Sequence, residues 1–376
     1  MKRIPFRLLF PLLLLVGLIA FPSAALSAAK EAAALWWHRV FPALLPFMLC
    51  CRLIHSQFIM HDAQQKSRMP SYMLPVFFFG AISGYPAGAK LLGGLQKQGR
   101  LTPGQGQRMA VFSNLCSPGF LLSVIALGLY GDRRVFFPLF LPGLATAMAT
   151  LVLFTLRKHT QSFGRGGRSQ PPPTVTHCST SIALRPLPYV QLLTDAIGDA
   201  IFSLLQVGGC LIACAVFSAL LFAAGLPGLL ARLIPLPAEL IRILLGGMME
   251  MTWGANALSA STLSLRMQLA LCCFFTTFGG LSVYMQSLCF MKMRSGARYL
   301  LAKLLMGLCA GVLAYALVPL FVPDAVLQTL SQGQVYAANA LATGSILAVS
   351  AVSLLFAVLL GIVVRPRKCN IKLDGY

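Results

Sequence analysis

The sequence predicts an all-α integral membrane protein of about eight transmembrane helices plus two re-entrant helical hairpins in an inverted repeat. Three observations predict it: an apolar excess, a series of apolar runs of spanning length, and two apolar stretches carrying helix breakers. Of the 376 residues, 57% are hydrophobic and only 10% charged. A water-soluble domain needs far more polar surface than this. The lipid bilayer is therefore the expected partner. The formal charge of +21 does not point to nucleic acid, because Lys and Arg fall mostly between the apolar runs. There they read as topology signals and contacts to anionic lipid.

A spanning helix needs about 20 apolar residues, and such runs lie near 6–28, 40–60, 109–130, 135–156, 200–224, 267–290, 299–322 and 341–364. The first opens MKRIPFRLLFPLLLL and reaches SAALSAAK, so a cleaved signal peptide is the alternative to a first span. The stretch Arg157 to Pro186 is basic and rich in Gly, Pro and Ser. It reads as a flexible cytoplasmic linker between two halves.

Two further apolar stretches, 72–95 and 238–260, do not fit a simple count. The first contains FFFGAISGYPAGAKLLGGL, with Gly80, Gly84, Pro86 and Gly88 breaking any helix; the second reads AELIRILLGGMMEMTWGANALSA. Were both to cross the bilayer, Lys97, Arg100 and Arg108 would face outward, against the positive-inside tendency. If both dip in and return, with the N- and C-termini inside, 23 of the 30 Lys and Arg lie on the cytoplasmic side, counting Lys292 to Lys303 among them. Broken backbone at membrane depth persists only where protein or a water-filled cavity satisfies it, so each tip is a candidate binding site. The alternative is a kinked span whose glycines allow close packing.

The second stretch reads as a diverged copy of the first. A shift of 166 residues places Gly80 on Gly246, Gly88 on Gly254, Ala89 on Ala255 and Lys90 on Asn256. Hairpins opening to opposite faces make an inverted repeat, an architecture of secondary transporters. Each hairpin is followed by an interrupted span, RMAVFSNLCSPGFLLSV and RMQLALCCFFTTFGGLSVYMQ. Half-helix ends near the midplane suit ions, N–H groups favouring anions and carbonyls favouring cations.

The segments SGYPAGAK, RMAVFSNLCSPGF, FGGLSVYMQ and WWHRVFPALLPF resemble the sporulation integral membrane proteins of the YlbJ type. These carry the Gate (nucleoside-recognition) motif of concentrative nucleoside transporters. The resemblance covers about residues 30 to 320. It implies paired re-entrant hairpins around a central site in the cell membrane of an endospore former, in a forespore-associated membrane if the sporulation role holds. It also implies a role in moving dipicolinic acid, with nucleosides as the wider superfamily's cargo. Where relatives often have paired asparagines this chain has Ser113-Asn114, so the carried-over polar role falls on Asn114. The expected organisation is an N-terminal helix or uncleaved signal-like anchor at 1–30, a first Gate-like repeat at 31–156 and a basic cytoplasmic linker at 157–190. A second, inverted repeat follows at 191–322, then a C-terminal helix and basic tail at 323–376.

The expected cargo is a small, anionic solute. The residues expected around it are Ser83, Gly84, Tyr85, Lys90, Asn114, Ser117, Trp253, Asn256 and Thr277. Glu250 alone among the nine acids lies at a tip, and a carboxylate in hydrocarbon should face a cavity, pair with a cation or carry a proton. It is the expected ion- or proton-coupling group; a solvated position at the outer interface, or a pair with Lys90, are its alternatives. Trp253 could stack on a planar cargo or anchor at the interface. His38 and Arg39 read as headgroup contacts. The eleven cysteines show no C-x-x-C spacing and lie largely in apolar runs, so neither a metal site nor a disulfide framework is expected. No catalytic grouping, nucleotide loop or cofactor motif occurs, which makes an enzyme the distant reading. A non-transporting structural or assembly protein of the spore envelope is the second. An oligomer is compatible with the sequence.

Overall fold

The computed structural model describes residues 6–62, 69–163 and 189–322, and every regular element among them is helical. Helix α1, Phe6–Ala20, stops at Phe21, whose φ of −129° and ψ of 56° leave the helical region before Pro22 opens α2, Pro22–Leu35. Proline disfavours helical backbone in the residue before it and has no N–H to continue the ladder. The expected first span 6–28 is therefore cut at 21. At 1.5 Å per residue α1 is about 22 Å long, short of a bilayer core of about 30 Å. Helix α2 instead continues through a π turn, Trp36–Val40, into α3, Phe41–Asp62.

Among the described residues six helices are long and apolar enough to cross a membrane: Pro22–Cys50, Pro103–Leu127, Arg133–Leu156, Val190–Ala223, Leu265–Phe290 and Gly296–Phe321. Five of the eight expected spans are among them, and Pro22–Cys50 stands in place of the two expected at 6–28 and 40–60. One expected span, 341–364, lies outside the described residues, as do both termini and most of the linker. The first half holds α4, Met69–Ser83; α5, Ala87–Lys97; α6, Pro103–Ser113; α7, Pro118–Phe120, which continues as a π turn over Leu121–Leu127; and α8, Phe136–Phe163. The second half holds α9, Tyr189–Ala223; α10, Leu226–Ala231; α11, Ala238–Met249; α12, Met251–Ser259; α13, Leu265–Phe278; α14, Gly280–Phe290; and α15, Gly296–Phe321.

Both glycine-bearing stretches fold back on themselves. Gly80 on α4 and Gly88 on α5, four residues either side of Gly84, both pack on Ser113. In one straight helix they would stand about 12 Å apart. In the second stretch Gly254 packs on the backbone of Gly247, seven residues earlier across Glu250. Straight helical geometry would separate that pair by about 10 Å. The tips at 84 and 250 lie 166 residues apart, and the helix breaks after Ser113 and Phe278 lie 165 apart. One apolar core joins Leu139 of α8, Phe275 of α13 and Ala310 and Ala314 of α15; another joins Phe77, Leu92, Phe112 and Tyr299.

Candidate functional site where four helix breaks meet

Each break can be traced to local sequence. Gly84 has φ +70°, a conformation that glycine adopts without steric cost. A Cβ there would stand 2.6 Å from Ser117 Cβ and 2.7 Å from Ser117 N, so the residue also permits the first tip to close on the first broken span. The Tyr85 N–H donates to the Leu115 carbonyl at 2.9 Å, pinning that contact. Pro118 restarts the helix after Ser117, whose hydroxyl accepts from the Phe120 N–H at 3.2 Å. In the second half Gly279 and Gly280 carry φ +85° and +73°. A Cβ on Gly280 would lie 3.0 Å from the Met248 and Met249 carbonyls, so the second break closes on the second tip in the same way.

The two tips touch each other: the Tyr85 hydroxyl donates to the Met251 sulfur. Around this contact lies a cavity lined by Tyr85 and Glu250 from the tips, Ser117 and Gln286 from the broken spans, and Leu44 and Leu211 from α3 and α9. It leaves about 20 Å³ for water centres, room for little more than one water. Sites for small organic ligands are usually several hundred Å³, so the site is closed.

Glu250 is 4% exposed, which overturns the solvated-interface alternative. Its Oε2 accepts from the Trp253 N–H at 2.7 Å and caps α12. Its alternative pairing with Lys90 is also overturned, because the Lys90 ammonium lies 3.2 Å from Asp199 of α9 and 5.8 Å from the Phe290 ring centroid. Ser83 and Asn114 are buried, while Asn256 is exposed and Trp253 packs its ring against Gly246 and Phe222. Thr277 is buried beside a second small cavity with Cys116, Gly143 and Thr276. The geometry thus gathers Tyr85, Ser117 and Glu250 at the central cavity, seats Gly84 against Ser117, buries Ser83 and Asn114, and leaves Lys90, Trp253, Asn256 and Thr277 outside the cavity lining.

Sequence reasoning missed the most consequential charge. Lys303, assigned to the cytoplasmic basic set, is fully buried on α15, and its ammonium donates to the Asn114 carbonyl at 2.8 Å. Asn114 Nδ2 donates to Ser287 Oγ at 2.9 Å and to the Tyr299 hydroxyl at 3.2 Å. A single lysine inside the 26-residue run of α15 was the available signal; its position near the start of the run masked it as a flank. Among the described residues no group of His, Cys, Asp and Glu is placed to hold a metal. Cys116, Cys214, Cys272 and Cys273 are buried free thiols, whereas Cys50, Cys289 and Cys309 are exposed.

The first half is also tied to the second away from the tips. Gln96 of α5 exchanges hydrogen bonds with the backbone of Lys292, at 2.9 and 2.8 Å, and Gln107 of α6 accepts from the Ser295 N–H at 2.8 Å.

No family model matches the chain, and no solved structure matches it. The chain is similar to the sporulation integral membrane protein YlbJ of Bacillus subtilis (strain 168), at 29% identity over 302 residues that cover 74% of this chain and 73% of that protein. That similarity supports the YlbJ-type resemblance seen in the sequence, and with the six apolar helices it supports a membrane location for a homologue of a sporulation integral membrane protein.

Proposed function

We propose that the chain is a multi-pass carrier or facilitator of a small anionic solute, dipicolinic acid during spore formation. The single observation carrying this reading is the convergence of two helix tips and two broken spans on one cavity lined by Tyr85, Ser117, Glu250 and Gln286. Interrupted helices that face one another at a polar centre present half-helix ends to a solute and its coupling ion. A protein needing only to be an inert membrane scaffold would gain stability by keeping those four helices continuous, since each broken ladder leaves backbone groups to be satisfied elsewhere. In this reading 72–95 and 238–260 are re-entrant hairpins entering from opposite faces, as in an inverted repeat. Glu250 carries the coupling proton, Tyr85 and Ser117 contact the solute, and the closed cavity is an occluded state.

The closed cavity also favours a second reading, a non-transporting structural or assembly protein of the spore envelope that keeps the carrier fold. Uptake of labelled dipicolinate and of labelled nucleosides into proteoliposomes separates them. Saturable dipicolinate uptake above that of empty liposomes supports the first reading, nucleoside uptake alone changes the cargo class, and no uptake of either favours the second.

A further inference from the structure

We infer that the Lys303 ammonium is a built-in cation seated at the first helix break, where a carrier of this architecture would otherwise bind a monovalent metal cation, so that the protein works without Na⁺. The inference rests on the carrier reading above and adds the identity of the ion that the site excludes.

The first helix break lacks a backbone donor. In an unbroken helix the carbonyl of residue 114 would accept from the N–H of residue 118, but residue 118 is proline and has none. Asn114 itself leaves the helix with φ −81° and ψ 83°. The orphaned carbonyl belongs to a fully buried residue, and Lys303 Nζ covers it at 2.8 Å. Carbonyls freed by an unwound spanning helix are what secondary transporters use to coordinate Na⁺ or H⁺.

The break holds more oxygen atoms than the Lys303 ammonium covers. Asn114 Oδ1 and Ser113 Oγ are buried without a hydrogen-bond partner, while Asn114 Nδ2 already serves Ser287 and Tyr299. Two consecutive residues at the break thus carry three oxygens, one on the ammonium and two buried without a partner, and such freed oxygens at an unwound helix suit a monovalent cation. The titratable groups facing Lys303 are the Cys116 thiol from the break and the Tyr299 phenol one turn earlier on α15. No carboxylate pairs with it among the described residues.

A purely structural need would be met more cheaply. A neutral hydroxyl or amide donor could cover one carbonyl without bringing a charge into the membrane interior, where an ammonium is expensive. What a lysine adds is positive charge delivered by a rigid helix at a fixed place, which is the property of a bound cation without its dependence on ion concentration.

The test uses the full chain in lipid nanodiscs, melted in NaCl, KCl and choline chloride at matched ionic strength. The wild type is expected to melt at the same temperature in all three. Lys303→Ala, which opens the ammonium's place, is expected to melt several degrees lower and to be partly restored by Na⁺ or by methylammonium relative to choline. Lys303→Met fills that place with a neutral chain and is expected to be destabilised without such restoration. A saturable, Na⁺-specific stabilisation of the wild type would overturn the inference. So would a Lys303→Met protein as stable as the wild type, or a folded Lys303→Ala protein indifferent to both cations. If Lys303→Ala does not fold, the wild-type ion comparison and Lys303→Met still decide. None of these readouts needs transport, so absence of uptake in proteoliposomes would sink the carrier reading separately.

Discussion

Replacing Glu250 by Gln and by Ala separates two jobs that one carboxylate holds. Its Oε2 accepts from the Trp253 N–H at 2.7 Å, and the side chain is almost wholly buried at the second tip. Gln offers a carbonyl oxygen with the same reach, so the cap survives and only the charge goes. A negative charge at a helix N-terminus contributes about 0.3–1 kcal/mol, rising to about 2 in partly buried settings. Ala removes the acceptor as well. Loss of a cap costs about 0.5–2 kcal/mol, and an N–H left unpaired in a buried place costs about 1–3. These describe the same bond and do not add, so roughly 2–3 kcal/mol is expected, about a 30- to 150-fold change in the folded ratio. Melting in nanodiscs should therefore place Glu250→Gln near the wild type and Glu250→Ala well below it. The functional arm is dipicolinate uptake into proteoliposomes with and without an imposed pH gradient. Tyr85 and Cys214 are the titratable groups facing Glu250, and neither is a base that could take over the proton. Glu250→Gln should keep basal uptake and lose the response to the gradient. An unchanged gradient response in a well-folded Glu250→Gln protein would refute proton coupling and leave the carboxylate as a cap alone.

Single cysteines at the exposed positions Gln98 and Thr262, in a cysteine-depleted background, should label from the cytoplasmic and external sides respectively; labelling of both from one side contradicts the inverted repeat. Lys90→Met and Asp199→Asn should give matching and modest phenotypes, because the pair is partly exposed, at 25% and 54% of the two side chains, and such pairs contribute no more than about 1 kcal/mol, or about fivefold. A dicarboxylate-specific loss of tenfold or more in Lys90→Met alone would make Lys90 a cargo ligand instead.

The breaks were legible because they are written in backbone chemistry. Gly84, Pro86, Pro118 and Gly279 each alter what the chain can do locally, whatever surrounds it, and helices stop or start at them, whereas Gly80 and Gly88, read as breakers too, lie inside α4 and α5 and serve close packing instead. The cut at Phe21 was equally local, yet the apolar run across Pro22 outweighed it in a reading that counted hydropathy. Burial was harder to read. Lys303 and Lys292 look alike in a list of cations near a helix start, but Lys303 lies one turn of α15 after Tyr299, on the face packed against the first broken span, and only the partner's position reveals that. Trp253 and Asn256 illustrate the converse. Both neighbour the tip in sequence, but α12 turns Trp253 onto Gly246 and leaves Asn256 exposed, because a 100° step per residue moves side chains off the cavity within one turn.

The contact between Tyr85 and Met251 ties the repeat to the closed site. These residues are 166 positions apart, the same offset that superposes Gly80 on Gly246 and Gly88 on Gly254. Residues exchanged by a two-fold operation can touch only close to its axis, so if the halves are related in this way, the axis passes through the tip contact and through the cavity beside it. A small organic solute does not fit in about 20 Å³, so on the carrier proposal admitting one would require the tips to part. Contacts between the halves that such a parting would strain include the Tyr85 to Met251 hydrogen bond, the Lys90 to Asp199 pair, the Gln96 clasp on Lys292 and the Gln107 to Ser295 hydrogen bond, beside the apolar packing around both tips. Neutral hydrogen bonds and exposed ion pairs each contribute about 1 kcal/mol or less net. On the carrier proposal, a ligand with differential affinity for an open form would have to offset these contacts together with that packing.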